Sequence, residues 1–513
     1  MEDLETLLYR YFGFNSFRTG QKEIIEDVLA GHNVLGVLPT GSGKSLCYQV
    51  PAITLGGAVV VVSPLLSLMS DQVKQLKARG FKDVVAINSF VDYKERHILF
   101  EQLETYKLIY VSPEMLQNEQ LIKRLKLMSI SLFVIDEAHC ISQWGHEFRP
   151  DYLKLNTIIQ ALKYPPILAL SATATPEVQA DIITQLDELP FNKHVYPMDR
   201  TNIAFSVQNC QSKQDKINYL EEVLTTFPVP AMIYFSSKKE AELVARILDE
   251  KLRNLRVSFY HGGMDPLDRT LIQQQFMKDQ LDVICCTSAF GMGIDKPNVR
   301  LVVHYHIPTQ IESFIQEVGR AGRDGLSSVS LVLYAPFDDL LPKRLIESEL
   351  PKEEQITSIV NALEQVATSD QTQALNSHTL IMERFEINEV QWRFLQFQFE
   401  KHDMIKKNQF MPIYNKRIEV IESIKQKIEE RNHYKMKKLQ EILAWVSGTS
   451  CRREQLFHSF QTTIKTPDFL CCDLCDFSFQ KWEPLIKSSQ TETTSWELEL
   501  AALFLQQGAE NET

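Results

Sequence analysis

Val34-Leu-Gly-Val-Leu38, followed directly by Pro39-Thr-Gly-Ser-Gly-Lys-Ser45, decides the reading of this chain. A short apolar run, a glycine-containing turn and the start of a helix are the parts of a phosphate-binding loop. Gly41 and Gly43 permit backbone angles that aim successive N–H groups at phosphate oxygens. Thr40 and Ser42 belong to the same turn, Lys44 supplies positive charge for the β- and γ-phosphates, and Ser45 can hold Mg2+. The strict pattern wants glycine where Leu38 stands, so the match fails at one position. Taken alone, the alternative is a glycine-rich turn with an incidental lysine.

Working outward, Leu132-Phe-Val-Ile135 leads into Asp136-Glu-Ala-His139. This places two carboxylates at the C-terminal end of a strand, where an open parallel sheet binds ligands. Asp136 is expected to bind Mg2+ and Glu137 to activate or orient the attacking water. A surface acidic pair is the bland reading of these two alone. Coupled to the glycine-rich turn, they form a nucleotide-hydrolysing site.

The surrounding pattern is α/β. Short β-branched runs occur at Asn33–Leu38, Ala58–Val62, Lys107–Val111, Leu132–Ile135 and Ile167–Leu170. A second set occurs at Ala231–Phe235, Arg256–Tyr260, Asp282–Cys286, Arg300–Tyr305 and Val329–Tyr334. Nearly continuous apolar runs suit parallel strands covered on both faces. Two α/β domains therefore stand in series, joined around Pro197–Asn202. From Pro351 the pattern turns helical, with Arg417–Val446 rich in charge, and Ile387–Ile405 reads as one helix of a winged-helix-like unit. The acidic tail after Pro484 contains one amphipathic candidate, Thr494–Gln506.

The chain has 513 residues, 44% of them hydrophobic and 23% charged, as in a soluble globular protein of several domains. A net charge of −12 argues against a coat of basic patches and predicts a narrow, local path for any nucleic acid. No stretch approaches the ~18 apolar residues of a membrane span. The start lacks a signal-peptide pattern, so the expectation is a cytoplasmic protein without a membrane partner. Of nine cysteines, Cys47, Cys140, Cys210, Cys285 and Cys286 are scattered and read as buried small hydrophobes, whereas Cys451, Cys471, Cys472 and Cys475 cluster.

Further strings carry a resemblance. They are Phe12-Gly-Phe14, Phe17-Arg-Thr-Gly-Gln21, Ser63-Pro-Leu-Leu-Ser-Leu-Met-Ser-Asp-Gln72, Ser112-Pro-Glu114 and Ser171-Ala-Thr-Ala-Thr175. In the second half, Thr287-Ser-Ala-Phe-Gly-Met-Gly-Ile-Asp295 precedes Gln316-Glu-Val-Gly-Arg-Ala-Gly-Arg-Asp-Gly325. With these the chain resembles the superfamily-two helicases and, within them, the RecQ family of DNA helicases, over residues 8–340 and again over 430–476.

The resemblance implies that Gln21 reads adenine, its carboxamide pairing with a donor and an acceptor on the base edge, while Arg18 packs on the base. It implies that Arg320 and Arg323 reach across to the ATP phosphates and that Asp295 touches ribose or an arginine. By the same resemblance, Ser63 and Ser112 look like parts of strand-contacting loops, and Ser171 and Thr173 like the link between hydrolysis and movement. Cys140-Ile-Ser-Gln-Trp-Gly-His-Glu-Phe-Arg-Pro-Asp-Tyr152 resembles the family's aromatic-rich loop. There Trp144 and Phe148, with Tyr152, offer stacking faces, and His146 and Arg149 offer donors and charge. Core packing is the alternative for these aromatics.

Cys451, Cys471, Cys472 and Cys475 resemble a structural Zn2+ module. The family's extra cysteine, three positions before the last pair, is Phe469 here, with Cys471 offered instead; buried thiols are the alternative. Lys416–Arg453 carries ten Lys/Arg against five Glu, which suits either a duplex-feeding surface or a solvated helical hairpin. With 38 residues after Cys475, the usual winged helix plus a further DNA-binding domain has no room there.

The expected fold class is thus α/β: two tandem RecA-like parallel-sheet lobes followed by a helical and zinc-binding C-terminal region. The expected units are lobe 1 (1–200), lobe 2 (201–340), a helical accessory region (341–440), a zinc module (441–483) and an acidic tail (484–513). The expected activity is ATP-dependent DNA unwinding with 3′→5′ polarity, which the resemblance implies, in recombination or repair. Its partners are ATP, Mg2+, single-stranded and forked duplex DNA, and unspecified recombination or repair proteins. An RNA helicase of the same superfamily and an ATP-switched DNA-binding clamp remain as alternatives.

Overall fold

The computed structural model describes residues 3–484 apart from 89–91, 143–148, 188, 292–295, 369–377, 407–408, 412–415 and 462–463. β1 (Val34–Val37), β2 (Ala58–Val62), β3 (Val84–Ile87), β4 (Leu108–Val111), β5 (Ile130–Ile135), β6 (Ile167–Ser171) and β7 (Asn192–Val195) form one parallel sheet in the order β3-β4-β2-β5-β6-β1-β7. Every residue of β1, β2, β4 and β6 is buried, which explains their unbroken apolar character.

β8 (Ile203–Asn209), β9 (Ala231–Tyr234), β10 (Val257–Tyr260), β11 (Val283–Cys286), β12 (Leu301–His304) and β13 (Ser328–Tyr334) form a second parallel sheet, ordered β10-β11-β9-β12-β13-β8. All ten runs expected from sequence are strands. β3, β7 and β8 were not anticipated. The expected linker Pro197–Asn202 falls between β7 and β8, joining the two sheets.

After β13 the chain is helical: Leu340–Glu349, Glu353–Thr368, His378–Arg384, Glu389–Lys401 and the 31-residue helix Arg417–Ser447. The stretch Ile387–Ile405 is shorter as a helix than expected, because Asn388 starts it with a capping box to Gln391 and the chain turns at Asp403, whose φ is 61°. Ile405–Lys406 and Gln409–Phe410 then pair as a short antiparallel hairpin. These helices share a separate core that includes Ile356, Leu363, Trp392, Leu395 and Ile424.

The cysteine-rich segment docks on the open edge of the second sheet. Cys472 bridges Phe205 of β8, with Phe205 N–H to Cys471 O at 3.2 Å and Asp473 N–H to Phe205 O at 3.0 Å. An edge strand's unpaired groups are thereby covered. Arg453, 1% exposed, pairs with the buried Asp199 carboxylate and donates to the Arg200 carbonyl at 3.3 Å, so this segment also grips the linker. The five scattered cysteines are buried as expected. The tail candidate Thr494–Gln506 lies outside the described residues.

Candidate nucleotide site and nucleic-acid interface

β5, β6 and β1 are neighbours, so their following loops emerge side by side at one sheet edge. The first is the phosphate loop. Gly41 and Gly43 sit at φ 83° and 75°, the left-handed region that favours glycine. Leu38, where the strict pattern wants glycine, is fully buried and prolongs β1 by donating to Ser171 O at 3.1 Å. Its side chain belongs to the core and leaves the turn itself free. The Thr40 and Ser42 hydroxyl oxygens are buried without hydrogen-bond partners, and Thr40 lines the cavity described below.

Asp136 follows β5 and is 6% exposed. Burial, and then the neighbouring Glu137 carboxylate, push its carboxyl well above the usual range, while Lys44 opposes the shift. Glu137 occupies φ 50°, ψ 50°, a strained conformation for a residue with a side chain. Its carboxylate lies 3.8 Å from Lys44 Nζ and 3.5 Å from His139 Nδ1. His139 Nδ1 also meets Ser171 Oγ at 3.1 Å, so the two motifs touch directly.

The second lobe completes the site. A cavity of about 180 Å³ is lined by Lys44, Ser45, Asp136 and Glu137 from one lobe and by Gln316, Arg320 and Arg323 from the other. A Cβ at Gly319 would stand 2.6 Å from Thr40 Cβ, so glycine is what allows this approach. Arg323 lies along Gly41, and Arg320 is held by the Gly291 carbonyl. Arg200, in the linker, has no sequence motif and was missed. It donates to Gly319 O at 3.1 Å and also to Gly322 O, bracketing the arginine-bearing turn. Burial, then Arg323 and Arg18, lower it to about 10. This cationic crowd fits a polyanionic ligand.

Gln21 behaves differently from expectation. Only 1% exposed, it accepts from Arg18 N–H at 2.9 Å and donates to Ser42 O at 2.8 Å and Gly43 O at 3.0 Å. A buried amide must satisfy its donors, and here the phosphate loop does so. One Oε1 lone pair is left for a base edge. Arg18 donates to Gly41 O. An adjoining cavity of about 150 Å³ is lined by Phe14, Arg18, Gln21 and Gln72 among others.

Ser63 follows β2 and Ser112 follows β4, on the same sheet edge as the hydrolytic loops. Both hydroxyls are buried without hydrogen-bond partners. Trp144, His146, Phe148 and Asp295 lie outside the described residues. The base of the aromatic loop is defined: Ser142 Oγ donates to Asp181 at 2.6 Å, and Arg149 N–H donates to Cys140 O at 3.1 Å. Tyr152 is not a stacking face. It is 1% exposed, and its hydroxyl donates to the Asp136 carbonyl at 3.1 Å.

The four late cysteine sulfurs lie within 4.8 Å of one another, with Cys451–Cys471 at 3.6 Å and Cys472–Cys475 at 3.5 Å. A tetrahedral zinc with sulfurs at about 2.3 Å has edges of about 3.8 Å, so this donor set fits the ion. Phe469 packs edge-on to Phe477 in the apolar cluster beside the second sheet, and Cys471 takes the ligand position instead.

Comparison with known proteins agrees with this geometry. Residues 18–182 match the DEAD/DEAH box helicase model, 215–325 the helicase conserved C-terminal domain and 402–477 the RecQ zinc-binding domain. The probable ATP-dependent DNA helicase RecS of Bacillus subtilis (strain 168) is 40% identical over 507 residues, covering 98% of each chain. This chain belongs to the RecQ family of ATP-dependent DNA helicases. Similarity to the RecQ helicase of the same organism is 42% over 359 residues, 68% of this chain but 59% of that one. The chain thus matches nearly the whole length of RecS and less than two thirds of that RecQ protein. Among solved structures, the DUF1998 helicase MrfA bound to DNA and AMPPNP has a TM-score of 0.57 at 20% identity, covering 68% of this chain and 52% of that one. Mss116p bound to ssRNA and AMP-PNP has 0.57 at 18%, covering 84% and 94%. These two share the fold. Among the described residues, no helix is long and apolar enough to cross a membrane.

Proposed function

We propose that this RecQ-family chain hydrolyses ATP between its lobes and uses their closure to move 3′→5′ along single-stranded DNA, opening forked duplexes in recombination or repair. The observation that carries this reading is the shared cavity, in which Arg320 and Arg323 meet Lys44, Asp136 and Glu137. Hydrolysis that needs groups from both lobes is coupled to their relative position.

Lys44 and the turn's N–H groups hold the phosphates, and Glu137 orients the attacking water. Arg320 and Arg323 stabilise charge developing on the transferred phosphoryl group. Ser45 and Asp136 would hold Mg2+, whose charge offsets that of the phosphate oxygens when bound. Gln21 ties base recognition to the phosphate loop, because its remaining acceptor can meet adenine's exocyclic amine while its donors stay on Ser42 and Gly43. We take 1–200 and 201–340 as the motor lobes, 341–440 as a winged-helix-like accessory unit and 441–483 as the zinc module, followed by the tail 484–513. Action on chromosomal DNA goes with a cytoplasmic location, nucleoid-associated in a bacterium.

DNA is favoured over RNA by the full-length similarity to a protein named as a DNA helicase. The test is ATP hydrolysis measured with single-stranded DNA and with RNA of the same length, Lys44→Ala alongside. The expected result is stimulation by DNA well above that by RNA and loss of turnover in the variant. Equal stimulation by RNA would contradict the reading.

A further inference from the structure

The helix Glu389–Lys401 carries a charged face with no place in the mechanism above. Arg393 and Glu400 stand seven residues apart and so share that face. Arg393 Nη1 donates to Glu114 at 3.0 Å and lies 3.6 Å from Asp151. Its Nη2 donates at 2.6 Å to Glu389, one turn back on its own helix, which fixes the direction of the guanidinium. Two turns on, Glu400 meets Lys154 at 2.6 Å.

The partners matter for where they sit. Glu114 ends the Ser112-Pro-Glu114 string, two residues from a buried unpartnered hydroxyl. Asp151 stands two residues beyond Arg149 and next to Tyr152, which is bonded to the catalytic strand end. Without a cation between them, two carboxylates would repel. Burial and then Glu114 push Asp151 above its usual range, and Arg393 and Lys154 draw it back. The Arg393 side chain is 40% exposed, so the bridge adds little to folding.

We infer that Arg393 is a positioning residue for DNA-coupled ATP hydrolysis. It fixes the separation of the Ser112 loop and the far end of the aromatic loop, so a strand that engages one engages both. The planar fork lets Nη1 lie between Glu114 and Asp151 while Nη2 stays on Glu389. The inference rests on the proposed reading that these two loops meet DNA.

The test is steady-state ATP hydrolysis titrated with oligo-dT, comparing the full chain with Arg393→Ala, Arg393→Lys and the loop reference Trp144→Ala. Arg393→Ala is expected to keep its DNA-free rate and its KM for ATP, with a melting temperature within about 2 °C. Its half-saturating oligo-dT concentration should rise about twofold to fivefold, the scale of a partly exposed charge bridge. Arg393→Lys should fall between. If Arg393→Ala titrates as the intact protein does while Trp144→Ala loses stimulation, the inference is overturned. If Trp144→Ala also retains full stimulation, the reading of the loop itself fails, and the role of Arg393 with it.

Discussion

The Tyr152 hydroxyl donates a 3.1 Å hydrogen bond to the main-chain carbonyl of Asp136. The segment that closes the aromatic loop is therefore bonded to the strand end that carries the hydrolytic carboxylate. Burial drives the phenol well above its ordinary titration range, so it stays a donor. This bond is the contact through which the proposed coupling between DNA and the ATP site would run.

Tyr152→Phe keeps the ring in the core and removes this bond, leaving a buried carbonyl unpaired. Thermal or denaturant unfolding should show a loss of about 1–2 kcal/mol. DNA stimulation of turnover, measured with saturating oligonucleotide, should fall several-fold. Full stimulation in a folded variant would mean that the coupling runs elsewhere.

Arg320→Ala and Arg323→Ala should each lower turnover by about a thousandfold, the usual contribution of an arginine that meets the transferred phosphoryl group. Lysine should restore little, because a point charge cannot reproduce the planar fork. Single-turnover hydrolysis separates this from ATP binding. Arg200→Ala should show a milder loss of the same kind, since it holds the Gly319 and Gly322 carbonyls on either side of Arg320.

Arg453→Ala strands the Asp199 carboxylate without its buried partner, at a cost of about 3–5 kcal/mol near neutral pH. Burial already raises Asp199 in spite of Arg453, and the variant raises it further. A carboxyl whose folded pKa exceeds its unfolded value binds more protons when folded, so its contribution to stability declines as pH rises through the folded value. The variant's deficit should therefore shrink on acidification toward the carboxylate range. Melting temperatures across pH for Arg453→Ala and for Asp199→Leu with Arg453→Met give the check, and the apolar pair should recover most of the loss.

Elemental analysis should find zinc bound by the intact chain and absent from Cys451→Ser. Chelation should lower the melting temperature and loosen the edge at β8, where Cys472 bridges Phe205. Faster hydrogen exchange across Ile203–Asn209 would register this. Stable, zinc-free intact protein would assign the four thiols to packing alone.

The hydrolytic loops were legible because phosphate chemistry demands particular residue types on particular strand ends, and ten of the thirteen strands were legible as apolar runs, whereas β3 and β8 are largely buried and were still missed. β7 was missed too: Asn192 and Lys193 are exposed at a sheet edge, so the strand carries polar residues. Arg200 and Arg393 were illegible for another reason. Each works through partners more than 100 residues away in sequence, at Gly319 and Glu114, and no local spacing encodes such a meeting. For Gln21, sequence could not reveal that the phosphate loop claims both its donors. Tyr152 was the aromatic of its loop for which core packing weighed most in the sequence, and it is buried.

Strand displacement tests the central claim most directly. DNA duplexes with a 3′ or a 5′ single-stranded tail, and a matching RNA duplex, would be given to the intact protein and to Lys44→Ala with ATP. The account predicts ATP-dependent release from the 3′-tailed DNA alone, abolished in the variant. ATP hydrolysis stimulated by that DNA without strand release, or equal release from RNA, would contradict it.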